Sequence, residues 1–258
     1  MVRLRFVLTG LALAGLVYAA LHFAYDYRRA GLIGLSEQPC TAQGRSVTGS
    51  DRDDWAALCA WRAENRQLGG QRPDVVMIGD SLTEHWPGEI PGVVRRGVSG
   101  QTGAQVLLRF RQDALDLHPR VIHILLGAND LLGFNGPFTA RQFEGTVLDM
   151  VELAELHGAR VILGTIPPMR DFGGYVRGDP APGVARLNAV LRSIASRRGL
   201  VLADYHAALV MPDGTMRAEL FAGDGRHLNA RGYAVMQRVF DAALESARLP
   251  PGSHIRSP

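Results

Sequence analysis

The sequence contains no lysine, and all 28 of its basic residues are arginine. Four of these arginines and one of the 25 acidic residues lie within residues 1–30, which leaves 24 residues of each sign in the rest of the chain. A domain that binds nucleic acid needs a surplus of positive charge along one face. Because the charges beyond residue 30 balance, we expect no nucleic-acid partner.

Cysteine is also scarce, with only Cys40 and Cys59 in the chain. Neither a CxxC pair nor a histidine cluster accompanies them, so we expect no metal site and no cofactor. Two interpretations remain open for the pair. The two residues form one disulfide in an exported protein, or they are free thiols and Cys59 packs as a small hydrophobic residue.

One segment near the N-terminus lacks charge altogether, since residues 6–25 contain no arginine and no acidic residue. Twenty residues of helix span about 30 Å, the thickness of the hydrocarbon core of a membrane. Arg3 and Arg5 precede the run, as in segments that export the chain behind them. Residues 1–30 are thus a signal peptide, cleaved after residues 17–19, or an uncleaved signal anchor, which the long run favours. We expect a domain anchored in the cytoplasmic membrane and facing the periplasm, or a secreted one if cleavage occurs.

The remaining chain divides into a linker, one large domain and a tail. Residues 31–50 are rich in glycine, serine and threonine without periodicity, which is typical of a linker. Residues 51–248 form the predicted domain, and residues 249–258 form the tail. Helical spacing over residues 51–68, ended by two glycines, predicts the first helix of the domain.

Short apolar runs alternate with helical patterns throughout the domain. The runs predict strands at residues 75–79, 93–99, 121–127, 161–166 and 200–205. The helical patterns predict helices at residues 102–117, 139–157, 182–198 and 229–247. Thr139 and Gln142 form a capping box at the start of one of them. This alternation predicts a three-layer α/β/α sandwich around a five-stranded parallel sheet.

Three of the predicted strands are followed by residues suited to a binding site. Ligands of such sheets bind at the carboxyl ends of the strands. Ser81 follows the first strand with a hydroxyl group and a free backbone N–H, and Gly100 follows the second with an unobstructed N–H. Asn129 follows the third strand with an amide donor. Each residue also has an ordinary alternative role, as a helix cap or a turn residue.

The loop before the last predicted helix contains Asp224 and His227. Their spacing lets the carboxylate accept the imidazole Nδ1–H while Nε2 faces outward. Alone, His227 is equally well explained as a solvated loop residue. Together with Ser81, Gly100 and Asn129, the pair completes the set that acyl transfer requires: a nucleophile, a base with its orienting carboxylate and three oxyanion donors.

Four segments resemble the signature blocks of the SGNH (GDSL-type) serine esterase and lipase superfamily. They are residues 79–82 (GDSL), 97–102 (GVSGQT), 127–130 (GAND) and 224–227 (DGRH). The resemblance extends over residues 75–247. Two departures, Leu228 where many members have proline and Ala128 where threonine is common, do not involve a reacting atom.

The resemblance implies a flavodoxin-like SGNH hydrolase that cleaves carboxylic esters through a covalent acyl-enzyme. It implies Ser81 as the nucleophile, His227 as the general base and Asp224 as the carboxylate that orients the base. It also implies an oxyanion hole formed by the N–H groups of Ser81 and Gly100 and by the amide of Asn129.

Two other functions remain open, a membrane-tethered O-acyltransferase with the same triad and a non-catalytic binding domain. A metallophosphoesterase would need an Asp-x-His and further histidines before Gly79, and the sequence has no such pair.

The identity of the ester substrate also remains open among carbohydrate acetyl esters, short-chain esters and lysophospholipids. The oligomeric state is open as well. We expect the loop at residues 167–175 to form one wall of the site. Candidates for contact with an acyl chain are Phe134, Phe138, Phe172 and Tyr175.

Overall fold

The computed structural model describes residues 13–25, 54–170 and 178–248. The chain divides into two compact units, Met1–Gln43 and Gly44–Pro258. In the first unit, residues 13–25 form helix α1 with exposed side chains. Among the described residues, no helix combines the length and the apolar character needed to cross a membrane.

Several predictions for the ends of the chain fall on residues outside the described ranges. They concern the first half of the uncharged run, the linker at residues 31–50 and the tail at residues 249–258. Cys40 also lies outside these ranges. The signal anchor, the linker, the tail and the pairing of Cys40 with Cys59 therefore stay predictions.

Five parallel strands form the centre of the second unit. They are β1 Val75–Gly79, β2 Val93–Gly97, β3 Val121–Leu125, β4 Arg160–Gly164 and β5 Val201–Ala203. The order across the sheet is β2-β1-β3-β4-β5, and every neighbouring pair is parallel. Strands β1 and β3 are buried along their whole length, which explains their nearly continuous apolar sequences.

Helices cover both faces of the sheet, so the predicted three-layer fold is confirmed. The helices of this unit are α2 Arg62–Gln67, α3 Ser81–Glu84, α4 Gly103–Asp113, α5 Ala128–Leu131, α6 Ala140–Leu156, α7 Ala181–Arg198, α8 Tyr205–Ala208 and α9 Ala230–Arg248. Alternate residues of β1 point to opposite faces. Val76 and Ile78 pack in the core under α4, α6 and α7, whereas Val75 and Met77 pack in the core under α9.

The predicted capping box is present at the start of α6, where the Thr139 hydroxyl accepts the Gln142 N–H. The helix predicted at residues 51–68 is wrong over residues 54–61, because among the described residues of that range only Arg62–Gln67 is helical. Ahead of it, the Asp54 carboxylate accepts the N–H groups of Leu58 and Cys59 at 2.7 and 2.8 Å. These side-chain bonds replace the backbone bonds of a helix, and the chain forms turns instead.

Candidate active site

Ser81 is the first residue of α3 and lies directly after β1. Asp80 caps this helix, since its Oδ1 accepts the Leu82 N–H at 3.0 Å. The Ser81 N–H has no acceptor within the described residues. The turn therefore presents a hydroxyl group and an unpaired N–H together at the carboxyl edge of the sheet.

A closed loop before α9 brings the other two predicted residues to Ser81. Phe221 and Leu228 pair across the base of this loop as an antiparallel bridge. His227 Nε2 lies 2.9 Å from Ser81 Oγ, and His227 Nδ1 lies 2.5 Å from Asp224 Oδ2. The structure thus places the three side chains in one continuous hydrogen-bonded row.

The charge of Asp224 suits its place in this row. Partial burial opposes ionisation, but the N–H groups of Arg226 and His227 and the His227 ring all donate to the carboxylate. These bonds outweigh burial and lower the Asp224 pKa to about 2. Asp224 is therefore an anion at neutral pH, the form that accepts the Nδ1–H and fixes the ring.

Gly100 lies in the turn between β2 and α4 with a φ of +79°, a conformation that favours glycine. The N–H groups of its neighbours Ser99, Gln101 and Thr102 are all hydrogen-bonded. In the part of the chain that the structure describes, the Gly100 N–H has no acceptor. It is thus free to bind a ligand.

Asn129 lies in α5, directly after β3, and its side chain is buried. Its Nδ2 donates to the Gln101 carbonyl at 2.9 Å and lies 3.4 Å from Asp80 Oδ2. One amide thereby connects the segments that follow β1, β2 and β3. Its orientation is fixed by these contacts rather than by solvent.

A fully buried arginine on α4 supports two of these segments, those that follow β1 and β2, and sequence analysis missed it. Arg109 donates to the Gly79 carbonyl at 2.9 Å and to Gln101 Oε1 at 2.6 Å, and it pairs with Asp113 at 3.2 Å. A signal was available, because Arg109 lies on the same helical face as the apolar residues Val106 and Phe110. A charged residue in that stripe must have buried partners.

Two buried carboxyl groups flank the site. Burial, together with the nearby charge of Asp130, raises the pKa of Asp80 to about 7, although the Leu82 N–H bond opposes the shift. Burial likewise raises the pKa of Asp130 to about 6, although both of its oxygens accept the Gly103 N–H at the start of α4. These groups exchange protons near neutral pH instead of near pH 4.

The hydroxyl of Ser81 opens into a small cleft of about 30 Å³, room for about two water molecules. Its lining residues are Ser81, Leu82, Ala128, Asn129, Leu132, Ile166, Pro167, Met169, Arg226 and His227. Phe134 and Phe138 are not among the lining residues, and Phe172 and Tyr175 lie outside the described ranges. Among the described residues, no group of three or more potential ligands is placed to hold a metal ion.

The model of the GDSL-like Lipase/Acylhydrolase family matches residues 61–235, more than half of the chain. The chain belongs to this family. It is an ester hydrolase, as the sequence analysis predicted.

Solved structures agree with the family assignment. A GDSL-like lipase from Bacteroides thetaiotaomicron VPI-5482 is 29% identical, covers 74% of this chain and 98% of its own, and superposes with a TM-score of 0.68. A structure from Bacteroides fragilis NCTC 9343 is 31% identical, with coverages of 75% and 99% and a TM-score of 0.69. An acetyl xylan esterase from Geobacillus stearothermophilus shares the fold at 18% identity, with a TM-score of 0.56 over 66% of this chain and 93% of its own.

The chain is also similar to the uncharacterized lipoprotein YqeF of Bacillus subtilis (strain 168). The two are 26% identical over 169 residues, which is 56% of this chain and 70% of YqeF.

Proposed function

We propose that this chain hydrolyses esters of short-chain carboxylic acids with Ser81 as nucleophile, His227 as general base and Asp224 as the orienting carboxylate. The observation that carries the proposal is the 2.9 Å contact between Ser81 Oγ and His227 Nε2. Nucleophile and base already lie within the distance that direct proton transfer requires.

The proposed reaction has two halves. His227 Nε2 takes the Ser81 proton as Oγ attacks the ester carbonyl, and the Asp224 carboxylate stabilises the imidazolium that forms. The imidazolium then protonates the departing alcohol, which leaves an acyl group on Ser81. In the second half, His227 deprotonates a water molecule that attacks this acyl-enzyme. The imidazolium then returns that proton to Ser81 Oγ as the acyl C–Oγ bond breaks and the carboxylic acid is released.

Three donors stabilise the oxyanion in this proposal. The N–H groups of Ser81 and Gly100 are unpaired within the described residues, so they bind the oxyanion without breaking an existing bond. Of the two Nδ2 hydrogens of Asn129, one is held by the Gln101 carbonyl. The other makes only the 3.4 Å contact with Asp80, near the limit for a hydrogen bond, and we assign it to the oxyanion.

The size and lining of the cleft support a short acyl group. Leu132, Ile166 and Met169 line it with apolar atoms, and its volume suits an acetyl group better than a long chain.

We place the domain outside the cytoplasmic membrane. The uncharged run at residues 6–25 behind Arg3 and Arg5 supports this location, and so does the name of the lipoprotein relative. In an alkaline phosphatase fusion at the C-terminus, the phosphatase should be active only if the domain is exported. An inactive but intact fusion would contradict the proposed location.

Hydrolysis of p-nitrophenyl acetate, butyrate and octanoate by the full chain tests the proposed reaction. We expect acetate to be the best substrate and Ser81→Ala to lower kcat by about 10⁶-fold. Ser246→Ala, a change on the exposed side of α9, is the control and should retain wild-type turnover. Equal turnover by wild type and Ser81→Ala would refute the proposal, and no turnover by either protein would favour an acyltransferase.

A further inference from the structure

A single carboxylate joins the turn that carries Ser81 to the turn that carries Gly100. Glu84 is the last residue of α3, and its Oε2 accepts both the N–H of Ser99 at 2.7 Å and the Ser99 hydroxyl at 2.5 Å. Ser99 directly precedes Gly100. Helix α3 therefore holds the proposed nucleophile at its first residue and the neighbour of a proposed oxyanion donor at its last.

The backbone of Glu84 is itself held in place. Its N–H donates to the Asp80 carbonyl at 3.0 Å, which closes the single turn of α3. On its other side it packs against Gly97 at the end of β2, where an added Cβ would lie only 2.2 Å from the Glu84 nitrogen. The carboxylate thus extends from a point that is fixed relative to Ser81.

The turn around Gly100 needs such an anchor. Gly100 has the positive φ and the conformational freedom of glycine, and its own N–H is unpaired within the described residues. No strand partner holds the Ser99 N–H, because the ladder between β1 and β2 ends at Gly79 and Gly97. Without Glu84, the Ser99 N–H would lose its acceptor, and the turn would be closed only by the longer bond from the Gln101 N–H to the Val98 carbonyl at 3.3 Å.

We propose that Glu84 is a positioning residue for the oxyanion hole, acting through Ser99 on the direction of the Gly100 N–H. This inference rests on the proposed function, in which Gly100 is an oxyanion donor. A donor displaced by about 1 Å costs up to about 10²-fold in rate. Complete loss of one donor costs about 10²–10³-fold.

Glu84→Ala in the full chain tests the inference, with p-nitrophenyl acetate as substrate. We expect kcat to fall by about 10–10²-fold while KM changes by less than about twofold, because the oxyanion exists only in the transition state. Glu84→Gln should lie between wild type and Glu84→Ala, because its amide oxygen still accepts both bonds from Ser99. Glu89→Ala, which removes an exposed carboxylate from the same β1–β2 connection, should retain wild-type kcat.

Inhibition by butylboronic acid provides a readout that a purely structural role would not change. Ser81 Oγ bonds to boron, its proton passes to His227, and the adduct becomes a tetrahedral anion with one hydroxyl in the oxyanion hole. We expect Ki to rise in Glu84→Ala by about the factor by which kcat falls. The inhibition constant of neutral p-nitroanisole, which forms no oxyanion, should be the same in Glu84→Ala as in wild type.

Three outcomes would overturn the inference: wild-type kcat in folded Glu84→Ala, a fall in kcat that only reflects less folded protein, or a kcat loss without a change in the boronate Ki. If Glu84→Ala does not fold, the kcat and the boronate Ki of Glu84→Gln test the inference instead.

The variant Ser81→Ala distinguishes a failure of the proposed function from a failure of the proposed role of Glu84. Retained turnover in Ser81→Ala would refute the proposed function, whereas an inactive Ser81→Ala beside a fully active Glu84→Ala would refute the role of Glu84 alone.

Discussion

Asp80 Oδ2 lies 3.4 Å from Nδ2 of Asn129, so the residue before the proposed nucleophile faces a proposed oxyanion donor. The same carboxyl group caps α3 through the Leu82 N–H. Burial and the neighbouring charge of Asp130 raise its pKa to about 7. Asp80 therefore changes from neutral to charged inside the site within the physiological pH range, and this change has a consequence for stability.

We expect Asp80→Asn to be more stable than wild type at pH 8 and about equally stable at pH 4. The folded protein binds the Asp80 proton more tightly than the unfolded chain, whose Asp80 pKa is near 3.8. The contribution of Asp80 to wild-type stability therefore falls as pH rises from about 4 to about 7 and levels off above that range. Asparagine caps helices as well as aspartate does but cannot ionise. In urea unfolding, the free energy of unfolding of Asp80→Asn should exceed that of wild type by up to about 4 kcal/mol at pH 8. A gain of the same size at pH 4 would contradict the explanation.

Asn129→Ala should lower kcat by about 10²–10³-fold with little change in KM, as for other single oxyanion donors. The variant also loses the bond to the Gln101 carbonyl, so its stability should fall by about 1 kcal/mol. Asn135→Ala, which loses the amide bond to Gln105 outside the site, is the matched control and should retain wild-type kcat. Wild-type kcat in folded Asn129→Ala would remove this amide from the mechanism.

Strands β1 and β3 were predictable because they are buried on both faces, and the local sequence shows this as a nearly continuous apolar run. β1 needs an apolar residue at every position, and Val75–Gly79 shows this without reference to the rest of the chain. The segments after the strands were predictable for a related reason. In parallel sheets all carboxyl ends lie at one edge, so residues far apart in sequence, such as Ser81 after β1 and Asn129 after β3, are expected to lie close together.

Contacts between side chains of distant segments were not predictable in the same way. Glu84 looks like an ordinary helix residue in sequence, because its partner Ser99 lies 15 residues away. The place of Arg109 in an apolar stripe indicates burial but does not identify its partners, one of which lies 30 residues away. The helix predicted at residues 51–68 failed for a local reason. Asp54 binds two backbone N–H groups, and spacing of apolar residues alone does not reveal that competition.

Asp224→Asn should lower kcat by about 10⁴-fold, because the amide cannot hold the imidazole in the required tautomer. Since the Asp224 pKa is about 2, the wild-type carboxylate is charged throughout pH 4–9 and the loss should be present across that range. Asp213→Asn is a matched control, since Asp213 also accepts the N–H of the residue two positions on, in an exposed turn away from the site. A loss of activity confined to acidic pH would contradict the assigned role.

Arg109→Met should destabilise the fold by about 3–5 kcal/mol, because it leaves the buried Asp113 carboxylate without its charged partner. The double variant Arg109→Met/Asp113→Leu should recover much of this loss, since it removes both buried charges. Arg111→Met removes an arginine of α4 that pairs at 3.9 Å with Asp116 in the turn after the helix, with both side chains more than half exposed, and it should cost no more than about 1 kcal/mol. Urea unfolding of these three variants and of Asp113→Leu alone measures these differences. If the double variant were as unstable as the sum of its single changes, desolvation of an unpaired charge would not be the cause, and the bonds of Arg109 to Gly79 and Gln101 would account for the loss instead.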